Sequence, residues 1–255
     1  LRAIRFAAQL EFKIHPRIMD SIKENKERIK IISQERVTDE IIKILKTNKP
    51  SIAFYFLKEL DFLKLIFPEL DVMSGVDIIN NMGHKDVFIH TLEVVDNAAK
   101  LTNKMEIRFA ALVHDIAKPP TKRFDKKKGW TFHGHEEIGR RMLIKVARRM
   151  KLSNELRDYL MILTKLHLRP IALAKKEISD SAVRRVMFEA GDFIDDLMIL
   201  CRADITTKNP KRFKKYHNNF KIVREKIKIV EEKDNIRNFQ PPVTGEIIMK
   251  HFNIG

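Results

Sequence analysis

Apolar residues recur at intervals of three and four along most of this chain, and few residues interrupt the pattern. One such stripe consists of Val37, Ile41, Ile44 and Leu45, and only eight glycines occur among the 255 residues. Intervals of three and four place side chains on one face of an α-helix, whereas a strand needs alternation. The sequence therefore predicts an all-α fold, with a helical body, then a helical bundle and then a basic C-terminal helix.

Three segments are expected within that fold. Residues 71–83 contain two glycines and little periodicity, so we place a boundary there, between a helical body (1–70) and a bundle (71–207). The last segment (208–255) contains a predicted helix over about 211–232. Its apolar residues alternate in spacing between three and four from Phe213 to Val230 and should pack on a neighbour.

The charge balance favours a polyanionic partner. Lys and Arg number 50 against 34 Asp and Glu, a net charge of +16, and the excess is densest after residue 207. RNA or DNA fits this better than an anionic membrane, although a generally lysine-rich proteome would give the same balance. Candidate phosphate contacts in the tail are Lys211, Lys214 and Lys215, for each of which a solvated helix face is the alternative.

Several classes of protein are excluded. The longest purely apolar runs are five residues, too short for a membrane-spanning helix, and the N-terminus has no signal-peptide pattern. The single cysteine, Cys201, excludes an internal disulfide, so a reducing cytoplasm is the natural compartment. Because Leu1 is not an initiator methionine, we expect this sequence to be a piece of a longer protein.

A candidate metal site begins with the adjacent pair His114 and Asp115, which follow an apolar helix that two prolines end. Imidazole nitrogen beside carboxylate oxygen suits a divalent ion. Six of the nine histidines fall between residues 84 and 167. Four of these histidines lie on or beside successive predicted helices, one on each, and an aspartate follows a further predicted helix. A helical bundle can bring such residues together. They are His90, His114, His135, His167 and Asp204. No motif for a serine or cysteine nucleophile is present.

This order of residues resembles the HD phosphohydrolase superfamily, although Ala117 stands where the family often has glycine. The resemblance implies a first metal, of Mg, Mn, Ni, Zn or Fe type, held by His90, His114, Asp115 and Asp204. It implies that His135 and His167 bind a second metal or the substrate phosphate. Asp115 would bridge metals or orient the attacking water. Lys118 would orient a phosphate, or is a solvated lysine at a helix end.

Other segments resemble class II tRNA nucleotidyltransferases and bacterial poly(A) polymerases: 1–12, 35–40, 67–70 and 241–249. In that family they belong to the neck, body and tail that follow a catalytic head. The head, which uses ATP and CTP, would lie upstream of Leu1, so this piece should not add nucleotides by itself. Arg2 and Arg5 would brace the nucleotide pocket or the tRNA end, or are surface arginines without a partner.

The resemblance therefore implies an enzyme of tRNA 3′-end processing. The piece would retain RNA binding and a metal-dependent phosphohydrolase site with phosphatase or 2′,3′-cyclic phosphodiesterase activity. Two alternatives stay open: a catalytically silent RNA-binding body, and a free-standing HD nucleotide phosphohydrolase. The oligomeric state cannot be read from the sequence.

Overall fold

The computed structural model describes residues 1–80, 82–173, 179–237 and 245–252, with side chains described up to 234 in the long tail helix and from 249 in the last helix. Across these ranges the regular structure is helical except for one short hairpin. The predicted all-α fold is confirmed. None of the described helices combines the length and the apolar composition needed to cross a membrane. Of the predicted family segment at 241–249, residues 241–244 lie outside the described residues.

Six helices form the first part of the chain. Proline occupies the first turn of two of them, where its missing N–H is not needed. A 3-10 turn at Lys26–Ile31 connects the second helix to the third. The helices are α1 (Arg2–Leu10), α2 (Pro16–Glu24), α3 (Gln34–Leu45), α4 (Ser51–Glu59), α5 (Phe62–Ile66) and α6 (Pro68–Asp71).

The second part is a bundle of longer helices followed by the tail. Helix α7 lies against α8, α10 against α11, and α14 against both α7 and α8. The elements are α7 (Val87–Leu101), α8 (Met105–Val113), α9 (Lys118–Thr121), β1 (Arg123–Asp125), β2 (Gly129–Thr131), α10 (His135–Arg149), α11 (Asn154–Leu166), α12 (Arg169–Ala172), α13 (Asp180–Ala190), α14 (Ile194–Ala203), α15 (Pro210–Arg237) and α16 (Gly245–Phe252).

The segment 118–134, which the sequence predicts to be a polar loop, contains α9 and the antiparallel hairpin β1–β2. Asp125 accepts the backbone N–H of Lys127 and of Lys128 at 2.8 Å, and Gly129 adopts φ +75°, so the turn closes tightly. The Trp130 indole donates to the carbonyl of Met82 at 3.0 Å and ties the hairpin to the bundle. Strands of three residues are too short to show alternation.

One apolar core runs through both parts of the chain, from Ile4 in α1 to Ala203 in α14. A buried hydrogen bond also joins them, because the Thr38 hydroxyl in α3 donates to the carbonyl of Met150 at 2.7 Å. The two segments on either side of the predicted boundary near residue 71 therefore share a single interior. The division into domains stays a prediction.

The tail helix α15 packs through only part of its predicted stripe. Val223, Ile227 and Val230 are buried in a second core, against α13 and α14. Phe213 and Tyr216 are 46% and 37% exposed, so the N-terminal turns of α15 depart from the prediction. The apolar stripe of α15 is therefore longer than the surface on α13 and α14 against which it packs.

Arg108 in α8 connects the ends of other elements. It is 3% exposed. Its guanidinium donates to the carbonyls of Leu45 and Thr47 at 2.9 and 3.0 Å, and to those of Thr102 and Ala99 at 2.9 and 3.2 Å. These carbonyls lie at and beyond the C-terminal ends of α3 and α7, where helices leave acceptors unpaired and carry partial negative charge. The burial of this cation is thus compensated by backbone dipoles.

Replacing Arg108 with Met should lower the free energy of unfolding by about 2–4 kcal/mol, because two buried and two half-buried carbonyls lose their donor. Urea unfolding followed by circular dichroism measures the change. The matched control is Arg148→Met at an exposed position of α10, which should stay within about 0.5 kcal/mol of the parent. Equal unfolding midpoints for the two variants would contradict the role assigned to Arg108.

Candidate metal centre

Six side chains from five parts of the bundle meet at one place. His90 lies in the first turn of α7, whose start is fixed because Asp86 accepts the N–H of Ile89 at 2.9 Å. His114 and Asp115 directly follow α8, and two prolines come soon after them. The remaining three residues lie at one helix start and two helix ends: His135 at α10, His167 at α11 and Asp204 at α14.

One group of possible metal ligands consists of His90, His114 and Asp204. The Nε2 atoms of His90 and His114 lie 3.0 and 3.6 Å from Asp204 Oδ1. One ligand atom from each of the three lies within 4.8 Å of the others. Three nitrogen and oxygen donors at this separation match the demands of a single divalent ion.

A second group consists of Asp115, His135 and His167, with ligand atoms again within 4.8 Å of one another. Asp115 Oδ1 lies 3.4 Å from His135 Nε2 and 3.7 Å from His167 Nε2. All three residues are buried. The second group is more deeply buried than the first, in which the side chains of His90 and Asp204 are partly exposed.

Asp115 stands between the two groups, with one oxygen toward each. Its Oδ1 faces the second group, while its Oδ2 lies 3.2 Å from His114 Nε2 and 3.6 Å from His90 Nε2. A carboxylate in this position can coordinate an ion on either side through different oxygens.

The local fold fixes the tautomer of three histidines. Nδ1 of His114, His135 and His167 lies 2.7–2.8 Å from the backbone carbonyl three residues earlier, in each case. A carbonyl only accepts, so each Nδ1 carries a proton and each Nε2 points to the centre. A metal ligand requires this orientation, and its Nε2 binds the ion once any proton on that nitrogen has left.

Some of the polar atoms that face the centre of the cluster lack a hydrogen-bond partner in the described part of the chain. His114 Nε2 and Asp115 Oδ1 are fully buried without a hydrogen bond to the described residues. The Nε2 atoms of His135 and His167 face each other at 3.4 Å. Two acceptor nitrogens this close, beside orphaned polar atoms, need a cation or a proton between them. The residues present therefore fit divalent ions.

The charges within the cluster affect one another strongly. Burial opposes a charge on His114, but the carboxylates of Asp115 and Asp204 outweigh it and raise the pKa of His114 to about 10. Burial and the neighbouring charge of His114 lower the pKa of His167 to about 4. Burial would raise the pKa of both aspartates, but the facing imidazole of His114 and further hydrogen bonds hold it well below the usual range.

The other predicted site residues lie at varying distances from this centre. Lys118 Nζ lies 2.5 Å from Asp115 Oδ2, so its position is set by that carboxylate. Arg5 pairs with Glu40 at 2.8 Å, and the largely exposed Arg2 approaches the same carboxylate at 3.9 Å, both in the first part of the chain. The three tail lysines are exposed on α15: Lys211, Lys214 and Lys215.

Four supporting residues escaped the sequence reasoning. The Thr206 hydroxyl lies 3.0 Å from His90 Nδ1. Cys201 donates its thiol hydrogen to the carbonyl of His167 at 2.9 Å. The Asn97 amide donates to the carbonyl of Ala203, next to Asp204, at 3.0 Å. A Cβ at Gly139 would meet the Thr164 methyl at 3.0 Å, so this glycine lets α10 and α11 approach beside the site. The sequence analysis marked none of the four as a site residue.

Comparison with known proteins assigns both parts of the chain. Residues 11–73 match the family described as "Probable RNA and SrmB- binding site of polymerase A", and residues 87–209 match the HD domain. Among curated proteins the chain is 35% identical over 174 residues to the Multifunctional CCA protein of Psychromonas ingrahamii. The chain belongs to the CCA-adding enzyme and poly(A) polymerase family. It carries that family's neck and HD portion.

Two further relatives give the same result. The Multifunctional CCA proteins of Shewanella frigidimarina and Nitrosomonas europaea are each 31% identical, over 218 and 203 residues. The three alignments cover 66%, 80% and 74% of this chain but 42%, 51% and 48% of the relatives. The chain thus spans about half the length of the curated proteins that it matches. An HD domain implies divalent metal binding, which fits the His and Asp groups described above.

The raised pKa of His114 predicts that metal uptake releases protons. Without metal, the imidazole keeps its proton below about pH 10, and a divalent ion at Nε2 must displace it. Metal affinity should therefore rise from pH 6 to pH 9, with about one proton released per chain from this histidine. Calorimetric titration in two buffers of different ionisation enthalpy measures that number. Identical heats in both buffers would contradict it.

Proposed function

We propose that the bundle is a metal-dependent phosphohydrolase within an enzyme of tRNA 3′-end processing. His90, His114 and Asp204 would hold one divalent ion, and His135 and His167 a second, with Asp115 shared between them. The observation that carries the proposal is the position of Asp115, whose two oxygens face two separate groups of buried donors. A single structural histidine cluster would not need that division.

The reaction class proposed is hydrolysis of a phosphoester, as a phosphatase or a 2′,3′-cyclic phosphodiesterase. Bound divalent ions would supply an activated water and offset charge on the phosphoryl oxygens. The protein's own contribution is position: three backbone carbonyls hold the imidazoles, and Asp115 is held by Lys118 at 2.5 Å. Lys118 also lies over the ring of Phe132, which keeps its ammonium at the rim of the site, where it can meet a phosphate.

RNA is the proposed partner of the remaining surface. Support comes from the RNA-binding family match at 11–73, from the names of the relatives, and from the exposed lysines of α15. Arg2 is open to a phosphate contact, whereas Arg5 is committed to Glu40 and would position the surface around it. Addition of nucleotides from ATP or CTP would belong to a preceding catalytic head, as in the family.

Replacing Asp115 with Asn should lower the rate of metal-dependent hydrolysis of adenosine 2′,3′-cyclic monophosphate at least a hundredfold. It should also lower the metal content of the purified chain. Elemental analysis and phosphate release are the measurements. His133→Ala is the control, because this exposed histidine lies two residues from His135 yet outside both groups. Full activity without the Asp115 carboxylate would refute the hydrolase. A parent chain with neither metal nor activity would favour a purely architectural RNA-binding body.

Changing Lys211, Lys214 and Lys215 together to Gln should weaken tRNA binding and reduce the salt dependence of the affinity by up to about two units of slope, because each phosphate contact releases counterions. Filter binding across a salt series measures both. The control removes three exposed lysines outside α15: Lys100 in α7, Lys145 in α10 and Lys151 just after α10. Equal effects in the two triple variants would contradict a specific contact between α15 and tRNA, because they would show that only the net charge of the chain matters.

A further inference from the structure

A cavity of about 330 Å³ opens directly beside the first ligand group. His90 and Asp204 form part of its wall, and the rest comes from α12, from the segment after α14 and from the N-terminal turns of α15. Its volume is at the lower end of the range for small-molecule sites, about 300–1,000 Å³. A molecule held by its phosphate at the metal centre would extend into this space.

The wall has two aromatic rings and several aliphatic side chains. Pro170, Ile171, Phe220 and Val223 supply apolar contacts, and the ring of Tyr216 is 37% exposed at the same wall. The stripe of α15 is therefore open to the cavity at Tyr216. Flat aromatic and aliphatic walls suit a planar heterocycle.

Two polar groups in the wall have unused hydrogen-bonding capacity. The Asn219 amide and the Arg212 guanidinium make no hydrogen bond or ion pair with the described residues, and both lie on the cavity face of α15 with Tyr216. An amide offers a donor and an acceptor side by side, which matches the edge of a base. Arg212 also borders an adjoining cavity, of about 450 Å³, together with Lys85 and Lys208. Cations there could meet a neighbouring phosphate.

We propose that this cavity is the nucleoside subsite of the hydrolase, with Tyr216 as the base-stacking residue and Arg212 as a contact for an adjacent phosphate. The substrate class is then a nucleotide or an RNA 3′-terminal phosphate rather than a small phosphoester without a base. This inference rests on the proposed hydrolase for the position of the scissile phosphate. Its test is a binding measurement, which does not depend on turnover.

The probes are adenosine 2′,3′-cyclic phosphorothioate, a slowly hydrolysed nucleotide, and inorganic thiophosphate, which has no base. Each is titrated calorimetrically into the purified chain with the metal that it retains. The parent should bind the nucleotide at least tenfold more tightly than thiophosphate. Tyr216→Ala should weaken nucleotide binding roughly tenfold and leave thiophosphate binding unchanged. Tyr216→Phe keeps the stacking ring and should keep the affinity for the nucleotide.

Matched controls lie on the same helix. Phe213→Ala removes another exposed aromatic ring, which does not border the cavity, and it should leave both affinities unchanged. Arg212→Gln should weaken a dinucleotide that carries a second phosphate more than the mononucleotide, whereas Lys221→Gln, outside the cavity, should affect neither.

Equal affinity of the parent for nucleotide and thiophosphate would overturn the proposal, and so would equal losses in Tyr216→Ala and Phe213→Ala. Base-dependent binding that needs Tyr216, without any hydrolysis, would support the subsite and refute the hydrolase instead. Circular dichroism of each variant shows whether a loss reflects unfolding.

Discussion

A carboxylate that is 1% exposed requires compensation from every side, and Asp115 obtains it from four imidazoles and a lysine. A buried charge is tolerated only when paired and hydrogen-bonded. That requirement explains the arrangement of the surrounding helices, which present histidines at their first or last turns. Backbone carbonyls orient three of those histidines, and the Thr206 hydroxyl lies against the fourth, His90. The geometry of the cluster therefore depends on where the helices begin and end.

The centre is built on a rigid interior. The core that begins in α1 reaches α14, directly before Asp204, and Arg108 fixes the ends of α3 and α7 together. The two parts of the chain are therefore packed into one body around the cluster. Such a frame suits a site whose ligands must stay within a few tenths of an ångström of their positions.

The sequence predicted the helical fold, because helical periodicity is a local signal. The six residues of the cluster were expected to form one site from their order along the chain and from the family resemblance, and their roles as ligands stay a prediction. It did not predict the hairpin at 123–131, whose strands are too short for a periodic pattern. It also gave no sign of Thr206, Cys201 or Asn97, since a threonine, cysteine or asparagine near a site looks like any other until the helices are packed. The exposure of Tyr216 depends on where the second core ends, and that is a property of the tertiary packing.

The thiol of Cys201 has a practical consequence. It is fully buried, its hydrogen is donated to the carbonyl of His167, and burial raises its pKa well above the usual range. A thiol in this state is a poor nucleophile toward maleimides and iodoacetamides. Since it is the only cysteine in the chain, a second one introduced on an exposed turn would take up a fluorophore or spin label selectively. Two such cysteines, labelled as a pair, would make a distance within the folded protein measurable without altering the native residue.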